Sequence, residues 1–88
     1  MTGNWEVTET TGRIAYDELH INGFEYAFVA VAADQRETTI FDGLFAIHGS
    51  DIVFDPSLAT PTTARFVLSG DDLTLTFTSI TVTFRRKV

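Results

Sequence analysis

The last third of the chain alternates apolar and polar positions with a period of two. Residues 73–77 place leucine or phenylalanine at every second position, and residues 80–84 do the same with isoleucine, valine and phenylalanine. Threonine fills the positions between them, and its branched Cβ suits a pleated strand while its hydroxyl contacts water. The pattern is typical of strands with one buried and one solvated face. It predicts three antiparallel strands over residues 64–69, 73–77 and 80–86.

The first part of the chain also predicts strands joined by turns. An Asn-Gly pair at residues 22–23 stands between apolar residues, which is a strong signal for a β-hairpin. A tight turn at this pair would place Ile21 opposite Phe24. Residues 15–19 also fit a helical turn, an alternative to the start of a strand. The strands predicted here are residues 4–11, 14–21, 24–32, 38–48 and 52–54.

Two interruptions of this pattern are expected. The pair Asp42-Gly43 lies inside the long strand and predicts a bend or bulge there, because glycine tolerates the backbone that a bulge requires. Residues 55–63 contain both prolines of the chain, which excludes a central strand. They predict a long loop of the kind in which binding residues are common.

About eight short strands joined by hairpin turns, with no long crossover, are typical of one architecture. The sequence predicts an all-β fold, a small antiparallel up-and-down β-barrel. At 88 residues the chain is long enough for a single domain spanning residues 1–88. The eight phenylalanines provide large apolar side chains for a dense core.

Charge and composition narrow the possible partners. The formal net charge of −6 argues against nucleic acid and anionic membranes, because both attract basic surfaces. The chain has no cysteine, so disulfides and thiolate chemistry are excluded. No apolar run reaches membrane-spanning length, and the first residues do not form a signal peptide. We therefore expect no membrane insertion. The default compartment is the cytoplasm, or the periplasm or exterior if a signal peptide has been removed.

The two histidines are the main candidates for chemistry. His20 lies near the predicted hairpin turn with Glu18 and Glu25, and a histidine with two carboxylates can bind a metal or act as a base. No metal-ligand spacing accompanies it, so we interpret it as an exposed histidine with charged neighbours. His48 and the following Gly-Ser-Asp fall within one turn, too close together for a catalytic triad. The sequence predicts no enzyme, no metal site and no cofactor.

The two ends of the chain suggest a family. Gly3-Asn4-Trp5 at the head of the first strand resembles the Gly-x-Trp motif that opens lipocalins and related calycin barrels. In that superfamily an arginine of the last strand lies over the tryptophan and closes the barrel. Arg85 and Arg86 are both placed for this, and the inward alternation of the last strand selects Arg86. The chain therefore resembles short bacterial lipocalin-like domains, with Trp5 and Arg86 as the implied barrel closure.

This resemblance implies a small-molecule binding module that takes an apolar ligand at its open end. If Glu9 keeps the phase of Trp5, it points inward, paired with an arginine or in contact with a polar group of a ligand. The tyrosines could bring hydroxyls into the interior. The candidate ligand-binding residues are Glu9, Tyr16, Tyr26, Phe41, Phe45, Phe54 and Leu58.

An alternative function belongs to a different class. Short strands enclose a small barrel, which phenylalanines could fill completely. A solid barrel of this kind would act as a structural or protein-interaction module. The apolar run of residues 27–33 has few polar positions on either face, which favours its burial in a homodimer.

Overall fold

The computed structural model of the protein describes residues 1–87, and these form eight strands. In chain order the strands are β1 (Gly3–Thr10), β2 (Glu18–Asn22), β3 (Glu25–Val31), β4 (Glu37–His48), β5 (Asp51–Phe54), β6 (Thr62–Ser69), β7 (Asp72–Thr76) and β8 (Thr81–Arg86). Each strand pairs antiparallel with the next, and β8 returns to pair with β1, so the sheet closes into a barrel. The predicted all-β, up-and-down antiparallel barrel is confirmed.

The two ends of the barrel are built differently. Three hairpins turn through two residues at one end: Gly23-Phe24, Gly49-Ser50 and Gly70-Asp71. Each of these glycines has a φ between 60 and 62°, which glycine adopts without steric cost and which suits the first position of a type II′ turn. We call this the tight-turn end. The connections 11–17, 32–36, 55–61 and 77–80 are longer, and they meet at the opposite, long-loop end.

The first hairpin differs from its predicted register. Asn22 pairs with Glu25 and Ile21 with Tyr26, so the turn consists of Gly23 and Phe24 rather than Asn22 and Gly23. Phe24 therefore lies in the turn and is exposed. The predicted pairing of Ile21 with Phe24 is wrong. The two registers direct the same side chains inward, because they differ by an even number of residues, and the alternation alone does not distinguish them.

Two bulges interrupt the ladders at positions that the sequence did not indicate. Phe28 pairs with Phe41 and Val29 with Thr39, which leaves Ile40 as the extra residue of β4. The bulge predicted at Asp42-Gly43 is therefore wrong, because the ladder with β3 continues regularly through both residues. The second bulge lies in β1, where the register with β8 shifts between Val7 and Glu9.

The strand predicted over residues 14–21 begins later, at Glu18. Residues 11–17 form an irregular connection, and they contain no helical turn. The Asp17 amide donates to the Val29 carbonyl at 2.8 Å, and the Asp17 carboxylate accepts from the Val31 amide at 2.8 Å. These bonds anchor the end of the connection to β3, while Ile14 and Tyr16 pack against the core from outside any strand.

Inward-facing side chains of all strands form one apolar core. Its fully buried members are Trp5, Leu19, Ile52, Leu73, Leu75, Val82 and Phe84. They follow the predicted period of two in β7 and β8, where buried residues alternate with threonine. Burial of such side chains supplies the main stabilising free energy of a small barrel. Residues 1–87 include no helix with the length and apolar character of a membrane span.

Candidate functional site

A pocket of about 450 Å³ opens at the long-loop end. Three of the four long connections contribute to its lining, with Arg13, Asp55 and Ser79 among the residues that they provide. A pocket in this position follows from the difference between the two ends, because two-residue turns leave no chain to surround an opening. The volume lies within the range of small-molecule sites in proteins, roughly 300–1,000 Å³.

Aromatic rings form most of the pocket wall. The lining rings are Tyr16, Tyr26, Phe28, Phe41, Phe54 and Phe77. The ring centroids of Tyr16 and Phe28 lie 4.4 Å apart, and those of Tyr26 and Phe54 lie 4.8 Å apart at an interplanar angle of 66°. Tilted and edge-to-face contacts at these distances are favourable and hold the rings in place. The wall is therefore a set of mutually packed rings that presents apolar surface to the pocket.

Tyr26 and Asp55 form the polar pair of the pocket. The Tyr26 hydroxyl donates to Asp55 Oδ2 at 2.6 Å. Burial, the hydrogen bond to Asp55 and the negative charges of Asp55 and Asp42 together raise the pKa of Tyr26 well above its usual value. The phenol is therefore a donor at neutral pH, and the local electrostatic potential is negative.

Gly43 makes this pair sterically possible. It lies opposite Tyr26 in the β3–β4 ladder, and a Cβ placed on it would collide with the Asp55 carboxylate and touch the Tyr26 ring at 3.4 Å. Asp55 itself has a φ of 54°, a left-handed conformation at the end of β5. The glycine interpreted from sequence as a bulge residue instead provides the space in which a carboxylate meets a tyrosine.

Arg13 is the one cationic side chain among the residues that line the pocket. It lies in the β1–β2 connection, is exposed, and forms no ion pair within 4.0 Å in residues 1–87. The remaining polar lining residues are Thr62 and Ser79. The pocket thus combines an aromatic wall, a half-buried carboxylate and an exposed guanidinium at its rim.

The structure brings together four of the seven residues predicted to bind a ligand. Tyr16, Tyr26, Phe41 and Phe54 line the pocket. Phe45 is buried in the core, with its ring centroid 5.9 Å from that of Phe24 near the tight-turn end. Leu58 is exposed on the β5–β6 loop and is not a lining residue.

Glu9 lies outside the barrel, so its predicted inward orientation is wrong. The bulge in β1 places both Thr8 and Glu9 opposite Thr83, and Glu9 follows the exposed face from there. The phase set by Trp5 is therefore lost at Thr8. A bulge reverses the facing of every later residue of a strand, and nothing in the sequence of β1 marks this one.

The sequence analysis missed three kinds of pocket residue. Arg13 was not predicted to line a pocket, Asp55 was predicted only as the first residue of a loop, and Phe77 only as the end of a strand. The other lining residues that were not predicted are Ile14, Ala15, Phe28, Thr62, Ser79 and Ile80. All but Phe28 and Thr62 lie within the long connections. A signal that could have found them is the clustering of apolar and charged residues at the ends of strands whose connections are too long for tight turns.

The tight-turn end is covered by Trp5 and Arg86. The guanidinium carbon of Arg86 lies 4.3 Å from the centroid of the Trp5 ring. Arg86 Nη1 donates to the Thr2 carbonyl at 2.8 Å, and the Trp5 indole donates to the Met1 carbonyl at 3.1 Å. A Cβ on Gly3 would lie 2.6 Å from Arg86 Nη1, so the absence of a side chain at Gly3 lets the arginine reach over the ring.

A charged cluster lies on the outer face of the barrel. Glu18 is only 6% exposed although it points outward; its two carboxylate oxygens contact His20 Nε2 at 2.8 Å and Lys87 Nζ at 2.9 Å. Burial raises the pKa of Glu18, but the hydrogen bonds and charges of His20 and Lys87 outweigh it, so that the pKa is lowered overall. The same interaction raises the pKa of Lys87.

Glu37 approaches this cluster, and one potential ligand atom each from Glu18, His20 and Glu37 lie within 4.8 Å of one another. Glu37 rather than the predicted Glu25 is the second carboxylate near His20. Because Glu18 already accepts hydrogen bonds from two partners, we interpret the group as an internal ion-pair network. It covers Val29, an outward residue that is only 3% exposed.

A second concavity, of about 460 Å³, lies outside the barrel across β1, β2, β3 and β4. Its lining includes Asn4, His20, Glu25 and Asp42 and shares Tyr26 with the inner pocket. Apart from Tyr26 it has no aromatic wall, and it follows the surface of the sheet. The inner pocket is distinguished by its six aromatic lining rings, and we take it as the candidate site.

An eight-stranded up-and-down barrel that is covered at one end and holds an aromatic pocket at the other defines a lipocalin-like architecture. A solved structure agrees: the crystal structure of a lipocalin-like protein from Bacteroides uniformis ATCC 8492 matches with a TM-score of 0.74 and 16% sequence identity, over 98% of this chain and 97% of that chain. No protein-family model and no curated protein sequence matches. The chain has a lipocalin-like fold, which confirms the predicted resemblance.

Proposed function

We propose that the protein binds a small, largely apolar molecule in the pocket at the long-loop end and catalyses no reaction on it. The observation that carries this proposal is the aromatic wall of a pocket of about 450 Å³ above a packed core. Convergent aromatic side chains with a few polar groups are typical of binding sites for small organic molecules. The lipocalin-like fold is compatible with such a role.

The groups within the pocket support binding rather than catalysis. Its titratable side chains are Arg13, Tyr16, Tyr26 and Asp55. Burial raises the pKa of Tyr16, and the pKa of Tyr26 is raised further, so neither phenol serves as a base near neutral pH. Neither His20 nor His48 is among the lining residues. What remains is a set of groups that orient a ligand.

The alternative function, a homodimer formed through residues 27–33, gains no support from the structure. The outward residues Ala27, Val29 and Val31 are partly or fully buried within the chain itself, and Val29 lies beside Glu18 in the β2–β3 ladder. Ala32 and Ala33, which follow the strand, are exposed but small. The apolar side chains of the strand are therefore covered largely without a partner. We accordingly place the function in the pocket.

A titration with N-phenyl-1-naphthylamine, an uncharged dye whose fluorescence rises in apolar surroundings, tests the proposal. Ala15 is exposed and lines the rim of the pocket, and the variant Ala15→Trp places an indole across the opening. We expect the dye to bind the wild type saturably. The variant should bind it at least about tenfold more weakly, which corresponds to a loss of roughly 1.4 kcal/mol of binding free energy.

The matched control is Ala33→Trp, which adds the same side chain at an exposed position of the β3–β4 connection away from the pocket lining. It should bind the dye like the wild type. Native mass spectrometry of protein purified from its own host adds a second measurement, in which extra mass identifies a retained ligand. Dye binding that is absent from the wild type, or equal in Ala15→Trp and Ala33→Trp, would refute the proposal.

A further inference from the structure

We propose that the pocket selects organic cations, with Asp55 and the surrounding aromatic rings receiving an ammonium group attached to an aromatic or short aliphatic body. This inference rests on the proposed function and specifies the chemical class of its ligand. The observation that suggests it is the half-buried carboxylate of Asp55 in the wall of an aromatic pocket, without a cationic partner within 4.0 Å among residues 1–87.

Asp55 retains the capacity to accept further hydrogen bonds. A carboxylate has about four acceptor positions, and within residues 1–87 the side chain of Asp55 accepts one hydrogen bond, from the Tyr26 hydroxyl at 2.6 Å. A partly buried carboxylate is normally paired or strongly hydrogen-bonded, because its desolvation is unfavourable. For Asp55, the water that partial burial removes is replaced by one uncharged hydrogen-bond donor, the Tyr26 hydroxyl. A ligand ammonium would supply the missing countercharge.

The aromatic wall favours the same charge. Tyr26 and Phe54 lie in edge contact beside Asp55, and Phe28 is 5.5 Å from Phe54 between ring centroids. The faces of such rings carry negative electrostatic potential and attract cations within about 6 Å of their centroids. An ammonium that pairs with the carboxylate would enter the pocket that these rings line, while its apolar body contacts the rest of the wall.

The wider field of the protein agrees with a cationic guest. Asp42 contributes a second negative charge at Tyr26, where the charges of Asp55 and Asp42 both raise the pKa of the phenol. The net charge of −6 attracts cations to the molecule as a whole. Gly43 strengthens the argument, because its lack of a side chain is what allows the Asp55 carboxylate to occupy this position.

Arg13 provides the competing hypothesis, an anionic ligand. Its guanidinium lies at the rim and is exposed, so water and salt screen its charge. Asp55 is half-buried, where electrostatic interactions are stronger. The buried charge therefore has the larger effect on selectivity, and the cation is the favoured ligand. The experiment below gives a distinct result for an anion.

Three probes of one length test the charge preference: 4-phenylbutylammonium, 4-phenylbutanol and 4-phenylbutyrate, each titrated calorimetrically at pH 7. The amine is charged at this pH, since alkylammonium groups titrate near pH 10.4. We expect the ammonium to bind the wild type about tenfold more tightly than the alcohol, with the carboxylate weakest. Because this comparison uses the wild type, it does not depend on any variant folding.

The variant Asp55→Asn keeps the shape and an oxygen acceptor for Tyr26 but removes the charge. We expect its affinity for the ammonium to fall to that for the alcohol, about tenfold, with the alcohol itself changed less than about twofold. Asp51→Asn is the matched control, because it removes the same charge at the other end of β5, outside the pocket lining. It should preserve the preference.

The outcomes separate this inference from the proposed function. If the ammonium and the alcohol bind equally, or if the carboxylate binds most tightly and Arg13→Gln abolishes its binding, the pocket is a binding site but the inference about cations is overturned. If none of the three probes and no N-phenyl-1-naphthylamine binds, the proposed function fails as well. A preference for the ammonium that persists in Asp55→Asn would overturn the assignment to Asp55.

Discussion

The guanidinium of Arg86 lies over the indole of Trp5, with Cζ 4.3 Å from the ring centroid. The two residues are also directly opposite each other in the β1–β8 ladder, so the contact spans the seam that closes the barrel. Backbone carbonyls of Met1 and Thr2 accept hydrogen bonds from the two side chains. The pair thus connects β1 with β8, and it connects both strands with the two residues that precede β1, Met1 and Thr2.

The first prediction concerns this pair. Arg86→Ala removes the cation above the indole and the hydrogen bond to Thr2, and it should lower the free energy of unfolding by about 1–2 kcal/mol. Trp5 is fully buried in the wild type. Without the Arg86 side chain its ring contacts water, and its fluorescence emission should shift to longer wavelength. Urea denaturation followed by tryptophan fluorescence measures both effects, because Trp5 is the only tryptophan of the chain.

Arg85→Ala is the matched control for this change. The neighbouring arginine points outward and forms only an exposed ion pair with Asp72, with Arg85 Nε and Asp72 Oδ1 separated by 3.3 Å. Exposed pairs contribute at most about 1 kcal/mol, and the emission of Trp5 should not change. An unaltered spectrum and an unaltered unfolding midpoint in Arg86→Ala would contradict the assignment of Trp5 and Arg86 as the barrel closure.

The second prediction concerns the pH dependence of stability. Folding lowers the pKa of Glu18 below its usual value of 4.5. A carboxylate of this kind stabilises the folded state above its unfolded pKa, and the contribution is lost as the pH falls through the lower folded pKa. The free energy of unfolding of the wild type should therefore fall as the pH drops below 4.5. That of Glu18→Gln should fall less.

The measurement is the free energy of unfolding in urea from pH 7 to pH 3. Glu18→Gln should cost about 1 kcal/mol at pH 7, since Lys87 is partly exposed and its interaction is screened. The difference from wild type should shrink as the pH falls. Glu9→Gln, on the exposed side of β1, serves as the control and should follow the wild-type curve. Parallel curves for wild type and Glu18→Gln would show that the network does not contribute as inferred.

The third prediction tests the space that Gly43 leaves for Asp55. Gly43→Ala places a methyl group where the carboxylate lies, and the overpacking should cost about 1–3 kcal/mol. In the background Asp55→Ala the part of this cost that comes from the collision should disappear, because the obstructing side chain is gone, while the part that comes from the positive φ of Gly43 remains. A double-mutant cycle of the four proteins measures this coupling. Additive effects of the two substitutions would contradict the close approach.

The fourth prediction distinguishes two equally exposed apolar residues. Phe41 is 59% exposed and lines the pocket, whereas Leu58 is 58% exposed and does not. Phe41→Ala should weaken binding of N-phenyl-1-naphthylamine by about fivefold, as expected for the loss of about 1 kcal/mol of aromatic contact. Leu58→Ala should leave the affinity unchanged. Stability should change little in either variant, because both side chains are largely solvated.

Alternation along the strands predicted the barrel because each apolar position of β7 and β8 has to face a core. For the same reason it predicted the pocket residues that lie on strands, because Tyr26 and Phe54 are at inward-facing positions of β3 and β5. The bulges at Thr8 and Ile40 escaped prediction because each depends on how two strands pair. The position of Glu9 was wrongly predicted for this reason, because one extra residue in β1 places its carboxylate in solvent rather than in the interior.

The rest of the site depends on connections that periodicity does not describe. Residues 14–17 were predicted to begin a strand, but β2 begins only at Glu18. The hydrogen bonds of Asp17 with β3 hold the end of this connection and leave Arg13 and Tyr16 at the rim. Asp55 reaches the pocket through a left-handed backbone and the space above Gly43. The space above Gly43 depends on the pairing of distant residues, and the positive φ of Asp55 is not encoded by a glycine at that position, so only the assembled fold shows either property.

The seam between β1 and β8 has a consequence for how the chain folds. Its contacts join residues separated by nearly the whole sequence, and non-local contacts of this kind slow folding because a long loop has to close first. During synthesis on the ribosome, the contact between Trp5 and Arg86 forms only after Arg86 has left the exit tunnel. Until then β1 and β7 are open sheet edges, which are prone to pair with other chains. Pairing of β8 with both of these edges is therefore the step that protects the nascent barrel from aggregation.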